Sequence, residues 1–598
     1  MKSSCFALDC TNIRNVLLRN TVLLLRRPLE FVAGFHLLND IYRRVRAMPE
    51  SILFERRVLD AMRIEPEVAG GDLSRIPRTG GAVVVSNHPF GGIEGVILLE
   101  RIKSLRPDVK AMANYMLSAI PEMAECFFTV DPFAGSGAAR ANLRPMKKCL
   151  QWLADGHLLI VFPAGEVAHY TVEARKVRES EWKRNVGDLI AKSRVPVVPV
   201  WFEGKNPPFF QFAGLLHPLL RTALLPRQFA NKQGRKISFS VGNPIPVEEQ
   251  EPFFATRGAL AAFLRFRAEL LHLGGMSGGA AEGMCACDSE IAGEIPADAL
   301  ESEIAALPDG CKIVESAADV VYAVRASQIP NMLKEIGRLR ELSFRAAGEG
   351  SGKSIDVDEF DKRYVHLVLW SKKNRCVVGA YRMGLVDEIV SSCGVDKLYT
   401  STLFDYRAGF FEAFPCAIEL GRSFVRQEYQ RSVSALFMLW KGIAGFIALN
   451  PRYRFLVGPV SISRTYSPAS RELMASVLLQ REESREIPNA PRPRSPFAVA
   501  PAIDDFVRRN MTFLSSDAVL DSAVRELEPD GKALPVLLRQ YLKLNGAFAA
   551  FNVDSDFSSV VDGFVIVDMM GIGEKTLRKY MGDEKAEAYR RFHSAQSA

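Results

Sequence analysis

The sequence predicts an α/β protein of two domains, and three observations carry that reading. From Gly81 to Val247 short apolar runs alternate with amphipathic stretches, the rhythm of a mostly parallel sheet flanked by helices. A stretch from Gly274 to Gly293, rich in Gly, Ala and Ser and without an apolar period, interrupts it. Strand and helix signals resume at Lys312, and 598 residues exceed what one hydrophobic core accommodates.

In chain order, residues 1–48 read as an amphipathic helical segment. Leu17, Leu18, Leu24, Leu25, Phe31 and Leu37 supply its apolar positions, with Arg14, Arg19, Arg26 and Arg27 among them. Such a helix either packs on the domain that follows or lies on an anionic bilayer. Residues 49–273 form the first domain. Its strands are expected at Ala82–Val85, Leu158–Phe162 and Val195–Trp201, and its helices at Ala138–Leu153 and Glu181–Ser193. Residues 274–311 are a linker carrying a short helix at 298–306. Residues 312–598 form the second domain. Strands are expected at Val320–Val324, His366–Trp370, Val377–Arg382 and Phe455–Ser461, with helices at Met332–Phe344 and Val433–Ile447. A connector with Pro488, Pro491, Pro493 and Pro496 precedes the terminal segment.

Composition narrows the function. Apolar residues make up 48% and charged residues 24%, values of a globular chain with real cores. No run approaches the roughly 18 to 20 apolar residues of a membrane span, and no signal-peptide cleavage pattern follows the first residues. The expectation is a cytoplasmic protein that meets a membrane, if at all, from its inner surface. The ten cysteines are scattered; only Cys285 and Cys287 are close, so no metal site is expected. Net charge is +7 and uneven: residues 1–275 hold 37 Lys and Arg against 26 Asp and Glu. That excess is either a solvated face or an attraction to an anionic partner, such as phospholipid headgroups or an acidic carrier protein. Nucleic acid is excluded as a partner, because the basic residues are dispersed and no recognition motif is present.

Two constellations carry chemistry. In the first, Ser86-Asn87-His88-Pro89-Phe90-Gly91-Gly92-Ile93-Glu94-Gly95 follows directly on the strand Ala82–Val85. A histidine at the carboxyl end of a buried strand sits where α/β folds place reactions. Glu94 is close enough to bind one imidazole nitrogen and make the other a better base. Phe162-Pro163-Ala164-Gly165-Glu166 follows another strand with a glycine turn and a carboxylate, and Val195-Pro196-Val197-Val198-Pro199-Val200 follows later; Asn114 and Val130-Asp131-Pro132-Phe133 punctuate the interval.

In this order these blocks resemble the glycerolipid acyltransferase family over roughly residues 40–250. The closer likeness is to its hemolysin-like branch, with Asn-His-Pro-Phe-Gly-Gly and Phe-Pro-Ala-Gly-Glu. The resemblance implies that His88 deprotonates an acceptor hydroxyl for attack on an acyl thioester. It makes Glu94 the orienting acid and gives Asn87, Gly165 and Glu166 a part in holding the acceptor. Two departures stand out. The family separates His from an Asp by four residues, whereas five separate His88 from Glu94. The family's anion-binding arginine has only Arg140 and Arg144 as candidates here.

The second constellation lies in the C-terminal half. Arg340 and Phe344 share a helix face, Asp358 and Asp361 stand in Asp-Val-Asp-Glu-Phe-Asp ahead of His366, Arg382 ends a strand, and Glu419-Leu420-Gly421-Arg422 follows. Singly, such charges are most often ordinary ion pairs. Together their order resembles the acyl-homoserine-lactone synthases and the ornithine N-acyltransferases, over roughly residues 320–470. That resemblance implies a GNAT-like mixed-sheet α/β domain, with Glu419 accepting the proton of an attacking α-amine. Arg340, Phe344, Asp358, Asp361, Arg382 and Arg422 fall to substrate binding, the arginines gripping the acceptor carboxylate or holding the fold together. Where the usual GNAT pyrophosphate loop would stand is Gln430-Arg431-Ser432, which favours acyl carrier protein over coenzyme A as donor. The terminal segment, with Pro535–Leu544 and Phe551–Asp554, is similar to the end of the ornithine N-acyltransferase domain; it either completes a substrate channel or only packs.

An O-acyltransferase unit fused to an N-acyltransferase unit resembles the bifunctional ornithine lipid synthases of bacteria. The expected partners are acyl carrier protein, an anionic membrane surface, an amino acid and its lyso-lipid, with no cofactor beyond an acyl carrier protein or coenzyme A thioester donor. Two alternatives remain at this point: a lysophospholipid acyltransferase with a non-catalytic C-terminal half, and, more remotely, a hemolysin-like lytic protein.

Overall fold

The computed structural model describes residue 6 and residues 24–114, 120–130, 143–172, 175–276 and 289–596. Leu17, Leu18, Arg14, Arg19, Asp131, Pro132, Phe133, Arg140, Cys285 and Cys287 lie outside them. The chain divides into two compact units, Met1–Gly278 and Gly279–Ala598.

The N-terminal unit begins with α1 (Arg26–Ala33) and α2 (Phe35–Arg46). The sequence suggested one continuous helix here, but Gly34 breaks it at φ +86°, where any Cβ would lie 2.7 Å from Arg227 Cα. Then follow α3 (Phe54–Met62), β1 (Glu65–Gly70), β2 (Ala82–Ser86), α4 (Ile93–Lys103), β3 (Val109–Asn114), β4 (Phe127–Val130), α5 (Leu143–Ala154) and β5 (Leu158–Val161). The unit continues with α6 (Arg184–Ser193), β6 (Val197–Phe202), α7 (Pro208–Leu216), α8 (Pro218–Ala223), α9 (Leu225–Ala230), β7 (Lys236–Val241) and α10 (Ala259–Met276). The strands form a seven-stranded sheet in the order β1-β7-β6-β2-β5-β3-β4, parallel except between β6 and β7. Strand β2 is buried along its whole length between β6 and β5. That is why Ala-Val-Val-Val reads as an unbroken apolar run with no alternation. The carboxyl end of β2 delivers Asn87 and His88.

The C-terminal unit carries α11 (Ala297–Ala305), β8 (Lys312–Glu315), β9 (Asp319–Arg325), α12 (Pro330–Ala346), β10 (Val365–Ser371), β11 (Cys376–Leu385), β12 (Ala417–Val425), α13 (Val433–Leu449), β13 (Phe455–Ile462), β14 (Ala547–Asp554) and β15 (Val560–Asp568). The eight strands run β8-β9-β10-β11-β12-β13-β15-β14, antiparallel except for β12 beside β13. Strand β11 extends three residues beyond the expected end, so Arg382 sits inside it. Leu339 of α12 packs with Val368, Trp370 and Ala380, while Gly442 of α13 lies against Val321 and Leu367. Residues 367 and 368 point to opposite sides of a strand, so the two helices cover opposite faces of the sheet. Among the described residues no helix is long and apolar enough to cross a membrane, and no group of three or more His, Cys, Asp or Glu could hold a metal ion.

Candidate active sites

The first site is built on the loop between β2 and α4. Asn87 ties this loop to β6 twice: its Nδ2 donates to the Phe202 carbonyl at 2.9 Å, and its Oδ1 accepts from the Phe202 N–H at 2.7 Å. Asn206 Nδ2 adds a bond to the Phe90 carbonyl at 3.1 Å. Glu94, fully buried in the first turn of α4, turns back to accept from the N–H groups of Phe90 (2.5 Å), Gly91 (3.2 Å) and Gly92 (2.9 Å). Gly91 and Gly92 take φ +96° and +153°, and a Cβ at Gly91 would lie 2.6 Å from Leu225 Cδ2.

The arrangement sets the protonation of both partners. His88 Nδ1 stands 3.4 Å from Glu94 Oε1, and its ring tilts over Phe162 at 4.6 Å between centroids. Burial opposes charge on His88, but Glu94, and behind it Glu179, outweigh it and hold the imidazole above its ordinary value. Burial likewise opposes charge on Glu94; His88 and the loop N–H groups overcome it and bring the carboxyl down to about 2. Nδ1 of His88 is buried and has no other acceptor among the described residues, so Glu94 is the group it faces. The site therefore presents an imidazole with one nitrogen facing a fixed anion and the other available to a substrate proton.

Gly165 turns at φ +68°, and a Cβ there would meet Lys183 Nζ at 2.6 Å. Glu166 accepts from Ser180 Oγ at 2.5 Å and Arg221 at 2.6 Å, so its carboxylate is engaged by the protein and held below the ordinary range. Arg144 lies at the start of α5.

The second site surrounds Glu419 of β12. Its Oε1 accepts from the Thr400 N–H at 2.6 Å and its Oε2 from the Tyr364 hydroxyl, which itself accepts from the Tyr399 N–H at 2.8 Å. Burial raises the Glu419 carboxyl above its ordinary value, and these donors limit the rise. Each oxygen keeps a second lone pair. Arg340 and Arg382 are almost completely buried: Arg340 donates to Asp361 at 2.8 Å and Arg382 to Asp358 at 2.6 Å, while two further nitrogens of each make no hydrogen bond among the described residues. Asp358 also caps the turn Glu359–Lys362 through the N–H groups of Phe360 and Asp361. Arg382 lies over the rings of Tyr399 at 5.0 Å and Tyr364 at 5.1 Å. The structure therefore brings Arg340, Asp358, Asp361 and Arg382 together as a framework beside Glu419. Phe344 is not in it; it packs against the apolar cluster of Ile336, Leu339, Trp370 and Phe424.

Arg422 is aimed by the backbone. The β11–β12 register slips between Ala380 and Arg382, and Arg422 bulges at φ +46°. Its Nε lies 3.3 Å from Asp356, its NH2 group 3.6 Å from Asp358, and its guanidinium over Phe557 at 4.0 Å. Just there β12 and β13 separate. They pair only from Ala417↔Phe455 to Glu419↔Val457, although both strands continue. Gly458 makes the close approach possible, since a Cβ would lie 2.1 Å from the Leu420 carbonyl oxygen. Beyond Glu419 the facing edges form a wedge whose backbone groups are unpaired across the gap.

Comparison with known proteins follows this division. An acyltransferase family matches residues 55–268, and the acetyltransferase (GNAT) domain family matches residues 339–441. A glycine Nα-acyltransferase of Phocaeicola vulgatus is 30% identical over 267 residues, 42% of this chain and 78% of that protein. The chain belongs to that acyltransferase family. Its counterpart from Bacteroides thetaiotaomicron is 29% identical, covering 41% of this chain and 76% of that protein. A lyso-glycine lipid O-acyltransferase of Phocaeicola vulgatus is 26% identical, covering 29% of this chain and 62% of that protein.

The acyltransferase holds several site neighbours that the sequence did not single out. Glu179 Oε1 accepts the His88 backbone N–H at 2.7 Å and Oε2 accepts from Trp182 Nε1 at 2.8 Å; burial pushes its carboxyl up to about 7. Lys232 donates to Asn206 at 2.9 Å and lies 4.2 Å above the Phe90 ring, and burial brings its amine down to about 8. Tyr364, Tyr399 and Thr400 complete the Glu419 network. Asp356 was visible as the first acid of its Asp-Val-Asp-Glu-Phe-Asp run. Glu179 had no such signal, being 91 residues from the histidine it contacts.

Proposed function

We propose that this acyltransferase makes an aminolipid by two successive acyl transfers. The C-terminal unit acylates the α-amine of a small amino acid with a 3-hydroxyacyl thioester of acyl carrier protein. The N-terminal unit then acylates the new hydroxyl. The observation that carries the reading is the presence, in one chain, of two acyltransferase domains, supported by relatives of the chain named glycine Nα-acyltransferase and lyso-glycine lipid O-acyltransferase. Glycine is the first acceptor to test, because those relatives are named for it; ornithine is the second.

At the C-terminal site the neutral amine attacks the thioester carbonyl, its proton passes to Glu419, and the carrier leaves as a thiolate that takes this proton back from Glu419 to become the free thiol. A carboxylate raised by burial suits that task better than an exposed one. At the N-terminal site Nε2 of His88 removes the hydroxyl proton as the oxygen attacks the second thioester. Glu94 stabilises the imidazolium, which returns the proton to the leaving thiolate. The work takes place at the inner face of a membrane, where the thioester donors and the amphiphilic intermediate meet.

The test is the lipid extract of a host expressing the chain with glycine and ornithine supplied. A phosphate-free lipid is expected, ninhydrin-negative if the acceptor is glycine, whose one amine becomes the amide, and ninhydrin-positive if it is ornithine, which keeps its side-chain amine. His88→Ala should let the mono-acylated lyso-lipid accumulate. Glu419→Ala should abolish both products while supplied lyso-lipid is still O-acylated. Loss of the first acylation in a folded His88→Ala protein would refute this division of labour.

A further inference from the structure

Among the described residues of the N-terminal unit, none covers the outer face of α7. Phe209, Phe212 and Leu216 are 61%, 59% and 65% exposed, and their spacing of three and four places them on one side of the helix. Leu215 on α7 and Leu220 on α8 are nearly half exposed. The opposite side of α7 is already filled, since Phe210 and Ala213 pack with Val167 and Leu224. A helix apolar all round belongs in an apolar medium on both sides, and here only one side has it.

Charge identifies the medium. Between Glu203 and Glu248 the chain has no acidic residue, and four of its basic ones, Lys205, Arg227, Arg235 and Lys236, are exposed, whereas Lys232 is buried and Arg221 is paired with Glu166. An apolar face within a cationic segment complements an anionic phospholipid surface, whose headgroups attract the cations while its acyl region takes the rings. The patch is also joined to the His88 loop. Arg221 of α8 bonds Glu166, and Leu225 and Val167 close against Gly91.

We propose that α7 and α8 dock the N-terminal unit on an anionic bilayer, with Phe209, Phe212 and Leu216 inserted below the headgroups. This adds a second surface, about 180 residues later, to the N-terminal helical segment, whose Leu24, Phe31 and Val32 are themselves exposed. It deepens the reading of this half as an acyltransferase acting on a lipid, because docking would place the His88 loop where a lyso-lipid resides.

The test uses the full chain and co-sedimentation with phosphatidylcholine vesicles, with and without phosphatidylglycerol. The wild type should bind the anionic vesicles and release in high salt. The triple variant Phe209→Ser, Phe212→Ser, Leu216→Ser should bind roughly tenfold less, because its apolar insertion is gone. These side chains are exposed, so its thermal unfolding should match the wild type, as should its acylation of a short-chain soluble acceptor. Wild-type binding by the triple variant overturns the proposal. So does a change from dimer to monomer with vesicle binding intact, which would make the patch a contact between two copies. The assay reads binding alone; if the lipid product is absent while docking persists, the proposed function fails and this inference stands.

Discussion

His88 and Glu94 act as one unit, and each shifts the other. Glu94→Gln keeps the side-chain shape but removes the anion. O-acyl transfer should fall by about 10²–10⁴-fold, the usual contribution of an oriented base. The pH profile gives the sign. The base works when neutral, so the rate rises with pH through the imidazole's own titration. The carboxylate raises that titration, so its loss should move the acid limb to lower pH even as the maximal rate drops; an unmoved limb would separate the two residues. The pair was legible in the sequence because it falls within one turn after a buried strand. Glu179 was not, since only the folding of β2 against the segment leading into α6 brings it to the His88 N–H. On the other site, Arg340→Ala takes the nearer guanidinium from buried Asp361, which keeps Arg382 at 3.5 Å and the Asp358 N–H at 2.8 Å. It should cost about 3–5 kcal/mol in a denaturant titration, as breaking a buried ion pair does.

At the scale of elements, the parting of β12 and β13 is the feature that shapes the second site. Gly458→Ala places a methyl group against the Leu420 carbonyl, next to Glu419. The expected result is a loss of about 1–3 kcal/mol or more in unfolding free energy, with N-acylation falling further than O-acylation when the two are assayed separately. The fully buried strands β2, β5 and β10 were readable because burial on both faces leaves an unbroken apolar run. The bulge at Arg422 and the break at Gly34 were not. Both are backbone conformations imposed by packing at distant positions, Arg227 in the case of Gly34, and neither leaves a periodic trace in the chain.

For the whole molecule, two folds with opposite logic share one chain. The first is a mostly parallel sheet that places its histidine at a strand end; the second is a mostly antiparallel sheet that places its glutamate where two strands divide. Their charges differ as well, since the excess of basic residues lies in the first 275 positions. Mixing a His88→Ala chain with a Glu419→Ala chain should restore the doubly acylated lipid in the extract, because each supplies the step the other lacks. Failure of that mixture, with both proteins folded, would mean that the intermediate is not released between the steps.

The loop at Gly91 and Gly92 has a consequence for how such an enzyme changes over time. Glu94 meets the N–H groups of Phe90, Gly91 and Gly92 with a side chain one methylene longer than aspartate, in a loop one residue longer than the spacing expected from the sequence resemblance. Glu94→Asp alone withdraws the carboxylate by about 1.5 Å, one carbon–carbon bond; deleting one glycine alone drives the longer side chain into the loop. Each change by itself should abolish O-acylation, and the two together should restore part of it. The two spacings are then separated by a valley that no single substitution crosses, so this half of the chain is locked to its glutamate by the glycine beside it.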